Sequence, residues 1–174
     1  DDVVVALLRD VDGTATHSFF SYRIAETLLE RGPFAANPLL ESLDNRARRE
    51  IALACDSSSF IPLLDAGRLP RNYAAVLSRC EQARLALGLI DDRAVLDEML
   101  TRLRALLGEN PLHALDDSND GAGRYDIYTA DVWLFCEPLA TAIGAEWTAG
   151  LGDALRLVEA VVGPDGNAIP WGRS

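Results

Sequence analysis

Apolar side chains recur every three or four positions along most of the chain, which is the spacing of an amphipathic α-helix. The clearest stripe consists of Tyr73, Val76, Leu77, Cys80, Ala83 and Leu87. The next stripe consists of Leu96, Met99, Leu100, Leu103 and Leu107. Only residues 3–8 form the kind of continuous apolar run that suits a buried strand. The pattern therefore predicts an all-α fold.

Helix breakers divide this pattern into about six or seven helices. The breaks fall at Arg31-Gly32-Pro33, Gly88 and Gly108 to Pro111. Asn37-Pro38 is typical of a helix start, and we expect one helical segment over residues 37–54. A later helix is expected to begin near Thr129 and to be kinked or restarted at Pro138. The links are short, which predicts antiparallel helical hairpins.

Length and composition indicate a globular protein. The chain has 174 residues, enough for one domain with a closed core, and 49% of them are apolar. No apolar stretch approaches the roughly 20 residues that a membrane-spanning helix needs. We therefore predict a single helical domain over residues 1–174.

The charge of the chain limits the classes of partner that it is expected to bind. All 16 basic residues are arginines, against 27 acidic residues, and the formal net charge is −11. A chain this acidic, without a basic tract, is a poor partner for nucleic acid or an anionic membrane, so we expect neither. The absence of lysine excludes Schiff-base chemistry on a lysine. Cys55, Cys80 and Cys136 have no metal-binding or redox spacing, and three free thiols favour a reducing compartment, which predicts the cytoplasm.

The segment Asp10-Val-Asp12-Gly-Thr is typical of haloacid-dehalogenase-like phosphatases, in which the first Asp attacks phosphorus and the second moves protons. That fold needs several strands alternating with helices, and nothing beyond residue 8 predicts them. The further residues available to such a site are Ser57, Arg71, Asp91 and Asp92. Each of these lies at a predicted helix boundary, where capping is the ordinary role. We therefore interpret residues 2–9 as a helix and keep the phosphatase as a third hypothesis.

Two later stretches, residues 123–135 and 165–174, combine aromatic rings, an arginine and an acid at a loop–helix junction. Flat rings stack on sugar faces, and arginines and carboxylates bind hydroxyl or uronate groups. This combination is typical of a carbohydrate site.

The same stretches resemble a known family. Tyr125-Asp126-x-Tyr128 is followed about forty residues later by Asp165-Gly-x-x-x-Pro170-aromatic-Gly-Arg-Ser. Over residues 123–174 the chain resembles the bacterial domain-of-unknown-function 2264 family. The resemblance implies an (α/α)6 toroid akin to unsaturated glucuronyl hydrolases and heparinase-type proteins. It also implies glycoside hydrolysis, since some members are thought to act on β-glucuronides.

A complete toroid of this type has twelve helices, and this chain has room for about half of them. The resemblance therefore implies the N-terminal half of a toroid, whose partner is the remaining helices or a second copy. The chain stops at Gly172-Arg173-Ser174 with no helix end or tail behind it, which predicts a truncation at Ser174.

Three residues are candidates for catalysis. Asp126 lies between two tyrosines, and such surroundings raise the pKa of a carboxyl group and keep it protonated as a general acid. The alternative is that Asp126 caps the helix that follows. Asp56 is the candidate for the second carboxylate, which a glycosidase needs about 5–10 Å away. His17 is a candidate acid or base, or else a cap at a helix start.

The candidate substrate-binding residues are Asp12, Arg124, Tyr125, Tyr128, Trp171 and Arg173. Arginine binds a uronate carboxylate through two parallel hydrogen bonds, which lysine does poorly. Tyrosine and tryptophan rings stack on sugars. The alternatives are loop salt bridges for the arginines and core packing for the aromatic residues.

The acidic loop at residues 116–121 lacks the bidentate Glu of a calcium loop, and no second metal motif follows it. We therefore expect no metal ion and no cofactor. The leading hypothesis is a carbohydrate-active protein that hydrolyses a glycosidic bond, that of a uronic acid glycoside. The expected partner is a carbohydrate or another small polar substrate. The alternative is a non-catalytic helical binding or scaffold domain.

Overall fold

The computed structural model describes residues 2, 17–109 and 127–167. These residues are mostly helical and contain no β-strand, which confirms the predicted all-α character. A parallel sheet, which the phosphatase hypothesis requires, is therefore absent from the part of the chain that the structure describes. Asp10 and Asp12 lie outside these residues, as does all of the predicted 2–9 helix except Asp2.

The described part of the chain contains nine α-helices. They are α1 (His17–Leu29), α2 (Pro38–Ser42), α3 (Asn45–Ala54), α4 (Ile61–Asp65), α5 (Asn72–Ala86), α6 (Ala94–Glu109), α7 (Ile127–Phe135), α8 (Ala140–Ile143) and α9 (Ala145–Val161). Short 3₁₀ turns cover Phe34–Ala36, Ser58–Phe60 and Glu137–Leu139. None of these helices is both long and apolar enough to cross a membrane.

The two apolar stripes predicted for α5 and α6 are buried over their whole length, from Tyr73 to Leu87 and from Leu96 to Leu107. Burial of these faces provides the stabilisation that intrinsic helix propensity alone does not supply. The predicted helix ends are also confirmed at two glycines. Gly32 follows α1 with φ 106° and Gly88 follows α5 with φ 70°, a left-handed conformation that glycine adopts without strain.

Residues 37–54 form two helices rather than the single predicted segment. Asn37 caps α2 as expected, and its side-chain oxygen accepts hydrogen bonds from the N–H groups of Leu39 and Leu40. The helix then stops, and Asp44 caps α3 by accepting from the N–H groups of Arg46 and Ala47. The bond from Ala47 is the main reason that the pKa of Asp44 lies below its usual value. A second strong N-cap therefore divides the segment.

The next interruption between helices lies at a proline, Pro138. The described part of helix α7 covers Ile127–Phe135 and includes Thr129, near which the helix was predicted to begin. Pro138 then lies in the 3₁₀ turn Glu137–Leu139, because its ring nitrogen has no hydrogen to donate within a continuing helix. The predicted interruption at Pro138 is thus confirmed.

The chain divides into two compact units. The first comprises residues 1–60 and 77–97, and the second comprises residues 61–76 and 98–174. Within the second unit α9 packs mainly against α7, and Arg104 Nε donates to the Ala142 carbonyl at 3.1 Å. The turn predicted at residues 164–167 is confirmed, since Gly166 N–H donates to Gly163 O at 2.9 Å. The loop at residues 111–125 and the extended segment at 169–171 lie outside the described residues, and the toroidal arrangement stays a prediction.

Candidate functional site

Most of the predicted site residues lie outside the part of the chain that the structure describes. They are Asp12, Arg124, Tyr125, Asp126, Trp171 and Arg173. Two others have a described backbone: His17 is the first residue of α1 and Tyr128 is the second residue of α7. Their proposed roles stay predictions. Asp56 is the candidate whose side chain and surroundings are described.

Asp56 lies in the loop between α3 and the 3₁₀ turn Ser58–Phe60. Its Oδ1 accepts a hydrogen bond from the Ser58 N–H at 2.9 Å, which closes a local turn of the type that Asp favours. The same oxygen lies 3.4 Å from Arg84 Nη1. About a third of the Asp56 side chain (32%) is exposed to solvent. Asp56 is therefore reachable by a solute, but a guanidinium group already occupies one side of it.

Arg84 connects Asp56 to a second carboxyl group. Its Nη1 lies 3.4 Å from Glu81 Oε2, which is one turn away on α5. Both distances exceed the 2.7–2.9 Å of a strong charge-assisted hydrogen bond. Arg84 Nε is buried without a hydrogen-bond partner. The guanidinium group thus lies between two carboxyl groups without an ideal fit to either.

Among the residues of the first unit whose burial is described, Glu81 is the most deeply buried charged residue, with no exposed surface. Its Oε1 accepts the Ser57 N–H at 2.6 Å, and the Ser57 hydroxyl contacts the Leu77 carbonyl oxygen at 3.4 Å. Burial raises the pKa of Glu81, while the Ser57 N–H and the charge of Arg84 act in the opposite direction. The loop after α3 is therefore bound to α5 through a carboxyl group that holds its proton more tightly than usual.

Two buried thiols adjoin this cluster. Cys80 Sγ donates to the Cys55 carbonyl oxygen at 3.3 Å, and both residues are buried. A hydrogen bond to Cys55, followed by burial, raises the pKa of the Cys80 thiol well above its usual value. A nucleophilic or redox-active cysteine needs the opposite, a lowered pKa and access to solvent. Cys55, Cys80 and Cys136 are buried thiols that form no disulfide bond.

The arrangement of Asp56, Arg84, Glu81 and Ser57 has two chemical consequences. A buried carboxyl group that accepts a backbone N–H fixes the loop, because breaking the bond would leave both groups unpaired away from water. The carboxyl groups of Asp56 and Glu81 also differ in environment, as the acid and the base of a hydrolase do. Glu81 has no surface that a substrate could touch, so only Asp56 is accessible for chemistry.

Among the described residues, no group of three or more His, Cys, Asp or Glu side chains is arranged to hold a metal ion. The sequence did not predict a role for Glu81 or Arg84, because neither residue belongs to the apolar stripe of α5. Glu81 and Arg84 are three residues apart, which is the spacing of a helical ion pair beside that stripe. Helices at protein surfaces carry many such pairs, so the spacing alone does not indicate a buried one.

No protein-family model, curated protein or solved structure matches the chain.

Proposed function

We propose that the protein is carbohydrate-active and hydrolyses a glycosidic bond with Asp126 as the catalytic carboxyl group. The observation that supports the proposal is that helix α7 includes Ile127 and Tyr128, which directly follow Asp126 in the sequence. The helix predicted behind the Tyr125-Asp126-x-Tyr128 motif is therefore present. The all-α character of the described residues supports the proposal as well, because a toroid is built from helices alone.

In the proposed reaction the Asp126 carboxyl group protonates the leaving oxygen, and a second group activates the attacking water. Asp56 and His17 are the proposed partners. Trp171 would stack on the sugar ring and Arg173 would bind a uronate carboxylate. The pocket of a half-toroid would be completed by further helices or by a second copy.

The pH dependence of kcat tells whether Asp126 acts as an acid or as a base. If Asp126 is the acid, kcat falls as pH rises through its pKa. If Asp126 is the base, kcat falls as pH is lowered through its pKa. We expect the first of these two results, a fall in kcat as pH rises.

The test compares three variants of the full-length protein on a chromogenic β-glucuronide. We expect Asp126→Asn to lower kcat by about a hundredfold or more, the usual contribution of a general acid. Asp131→Asn is the matched control, because Asp131 is an exposed residue on α7 and has no part in the proposed chemistry. Undiminished hydrolysis by Asp126→Asn would overturn the proposal. The Asp56→Asn variant tests the second carboxylate separately.

The second candidate is a non-catalytic helical binding or scaffold domain. The ion pair of Asp56 with Arg84, next to the fully buried Glu81, favours it, because these contacts are those of a structural anchor. Saturable binding of an oligosaccharide without turnover, equal in wild type and Asp126→Asn, would support this candidate over hydrolysis.

A further inference from the structure

Two cysteines of the first unit lie side by side. Cys55 is the residue that ends α3, and Cys80 lies within α5, 25 residues later in the sequence. The Cys80 Sγ atom is 3.3 Å from the carbonyl oxygen of Cys55, and the two side chains also interact directly. Cys55 has no exposed surface, and Cys80 is 1% exposed. The fold therefore brings two thiols from separate helices together at a place that solvent does not reach.

This proximity is what a disulfide bond requires before it forms. The bond joins two sulfur atoms at about 2.05 Å, so the side chains have to be neighbours in the folded chain. The interaction between the side chains of Cys55 and Cys80 meets that requirement. The third cysteine, Cys136, belongs to the second unit. The first unit thus contains one pair of neighbouring thiols among the residues that the structure describes.

A hydrogen bond holds the segment next to Cys55 against α5. The Ser57 N–H donates to Glu81 Oε1 at 2.6 Å, and Glu81 directly follows Cys80 in α5. The pKa of the Cys80 thiol is raised, so the thiol stays neutral, whereas the thiolate is the form that attacks a disulfide. The pair is therefore unreactive while this segment stays in place. A reaction with an external oxidant needs the segment to move away from α5.

We propose that Cys55 and Cys80 form an intramolecular disulfide bond with a small-molecule disulfide as oxidant, when the segment after α3 transiently separates from α5. The thiolate of one cysteine attacks oxidised glutathione and releases one molecule of reduced glutathione. The other cysteine attacks the mixed disulfide and releases a second molecule. The two protein thiols thus lose two protons and two electrons, which oxidised glutathione takes up. The inference does not depend on the proposed hydrolysis.

The experiment incubates the folded, reduced chain with a mixture of oxidised and reduced glutathione and then blocks the remaining thiols by alkylation. Trypsin cleaves this chain only after arginine, since it contains no lysine, and the three cysteines lie on separate peptides: 50–68, 80–84 and 125–156. We expect mass spectrometry to find peptide 50–68 linked to peptide 80–84 as the dominant product. No linked pair, a pair that includes Cys136, or glutathione that stays attached to Cys55 or Cys80 would overturn the proposal.

Oxidation of the same chain in concentrated urea is the control for loop length. In an unfolded chain the shorter loop favours the Cys55–Cys80 bond over the two bonds to Cys136 by only about threefold to sixfold. The native reaction is expected to exceed this preference at least tenfold, because the fold places the two thiols together. The same mixture of products in buffer and in urea would contradict the proposed role of the fold.

Two variants of Glu81 test the opening of the segment. Glu81→Gln keeps a side-chain oxygen for the Ser57 N–H and Glu81→Ala removes it, while both lack the carboxylate beside Cys80. We expect the disulfide to form about tenfold faster in Glu81→Ala than in Glu81→Gln, the effect of one lost hydrogen bond. Equal rates would contradict the proposed opening. If Glu81→Ala does not fold, the wild-type rate is measured in increasing urea below the unfolding transition, and a constant rate would count against the proposal.

Discussion

The indole ring of Trp133 in α7 lies directly against the backbone of Gly150 in α9. A Cβ atom on residue 150 would overlap the six-membered part of the ring. Trp133 is fully buried, and its carbonyl oxygen accepts a hydrogen bond from Trp147 Nε1 at 3.2 Å. The absence of a side chain at position 150 therefore lets α9 approach α7 closely enough to enclose the indole ring.

Replacing Gly150 by alanine is expected to destabilise the protein despite the higher helix propensity of alanine. The new methyl group has to displace Trp133, and overpacking of this type costs about 1–3 kcal/mol. Urea unfolding followed by tryptophan fluorescence measures the loss.

Gly152 supplies the control in the same helix. A Cβ atom there meets only the flexible end of Arg156, at 3.6 Å. Gly152→Ala is expected to stabilise the protein by about 0.5–1 kcal/mol, the ordinary gain in a helix. If both alanine variants change the free energy of unfolding equally, the close packing of Trp133 on Gly150 is wrong.

Glu81 predicts a dependence of stability on pH. Its pKa is raised in the folded protein, so between its usual value of 4.5 and the raised value the folded state binds more protons than the unfolded chain. The contribution of the protonated group is therefore fully present below pH 4.5 and is lost as pH rises through the folded pKa. Glu81→Gln does not ionise, and the stability of wild type relative to this variant is expected to fall over that range.

Urea titrations of both proteins at a series of pH values give this difference. Glu159→Gln removes an exposed carboxylate from α9 and shows the effect of changing the net charge by one. A difference between wild type and Glu81→Gln that rises with pH would mean that pairing with Arg84 outweighs burial.

Asn37 is expected to contribute more than an ordinary helix cap. Besides capping α2, its Nδ2 donates to the carbonyl oxygens of Leu28 and Gly32 at 2.7 and 2.8 Å, and the side chain is fully buried. Asn37→Ala is expected to lower the free energy of unfolding by about 2–3 kcal/mol, since it removes the cap and both hydrogen bonds that the buried amide donates.

Asp44→Ala is the comparison, because Asp44 caps α3 from an exposed position. Thermal unfolding is expected to show a loss of about 1 kcal/mol for this variant. A loss as large as that of Asn37→Ala would show that the bonds from Asn37 to the two carbonyl groups add nothing.

The helices were predictable where a single local signal determined them. The stripe on α5 and the glycine that follows it are such signals, since both act within a few residues. The break before Asp44 was not, because an Asp within an apolar–polar pattern reads equally as an exposed helical residue or as a cap. Residues 37–54 contain two strong helix-start signals, at Asn37 and at Asp44. The apolar periodicity does not show whether the second one begins a new helix.

The contacts of Asp56 could not be predicted for a different reason. Its partner Arg84 is distant in sequence, and the burial of Glu81 depends on the loop that supplies the Ser57 N–H. Neither feature leaves a pattern in the local sequence. The same holds for Gly150, whose meaning depends on Trp133 in another helix.

The central claim, hydrolysis of a glycosidic bond, is tested most directly by turnover of a β-glucuronide in water labelled with the heavy oxygen isotope. Hydrolysis at the anomeric carbon predicts a saturated sugar product that carries the heavy oxygen there, and loss of this product in Asp126→Asn. Heavy oxygen on the released aglycone instead of the sugar would indicate cleavage of the other carbon–oxygen bond. That result, or no product from a folded full-length protein, would contradict the account.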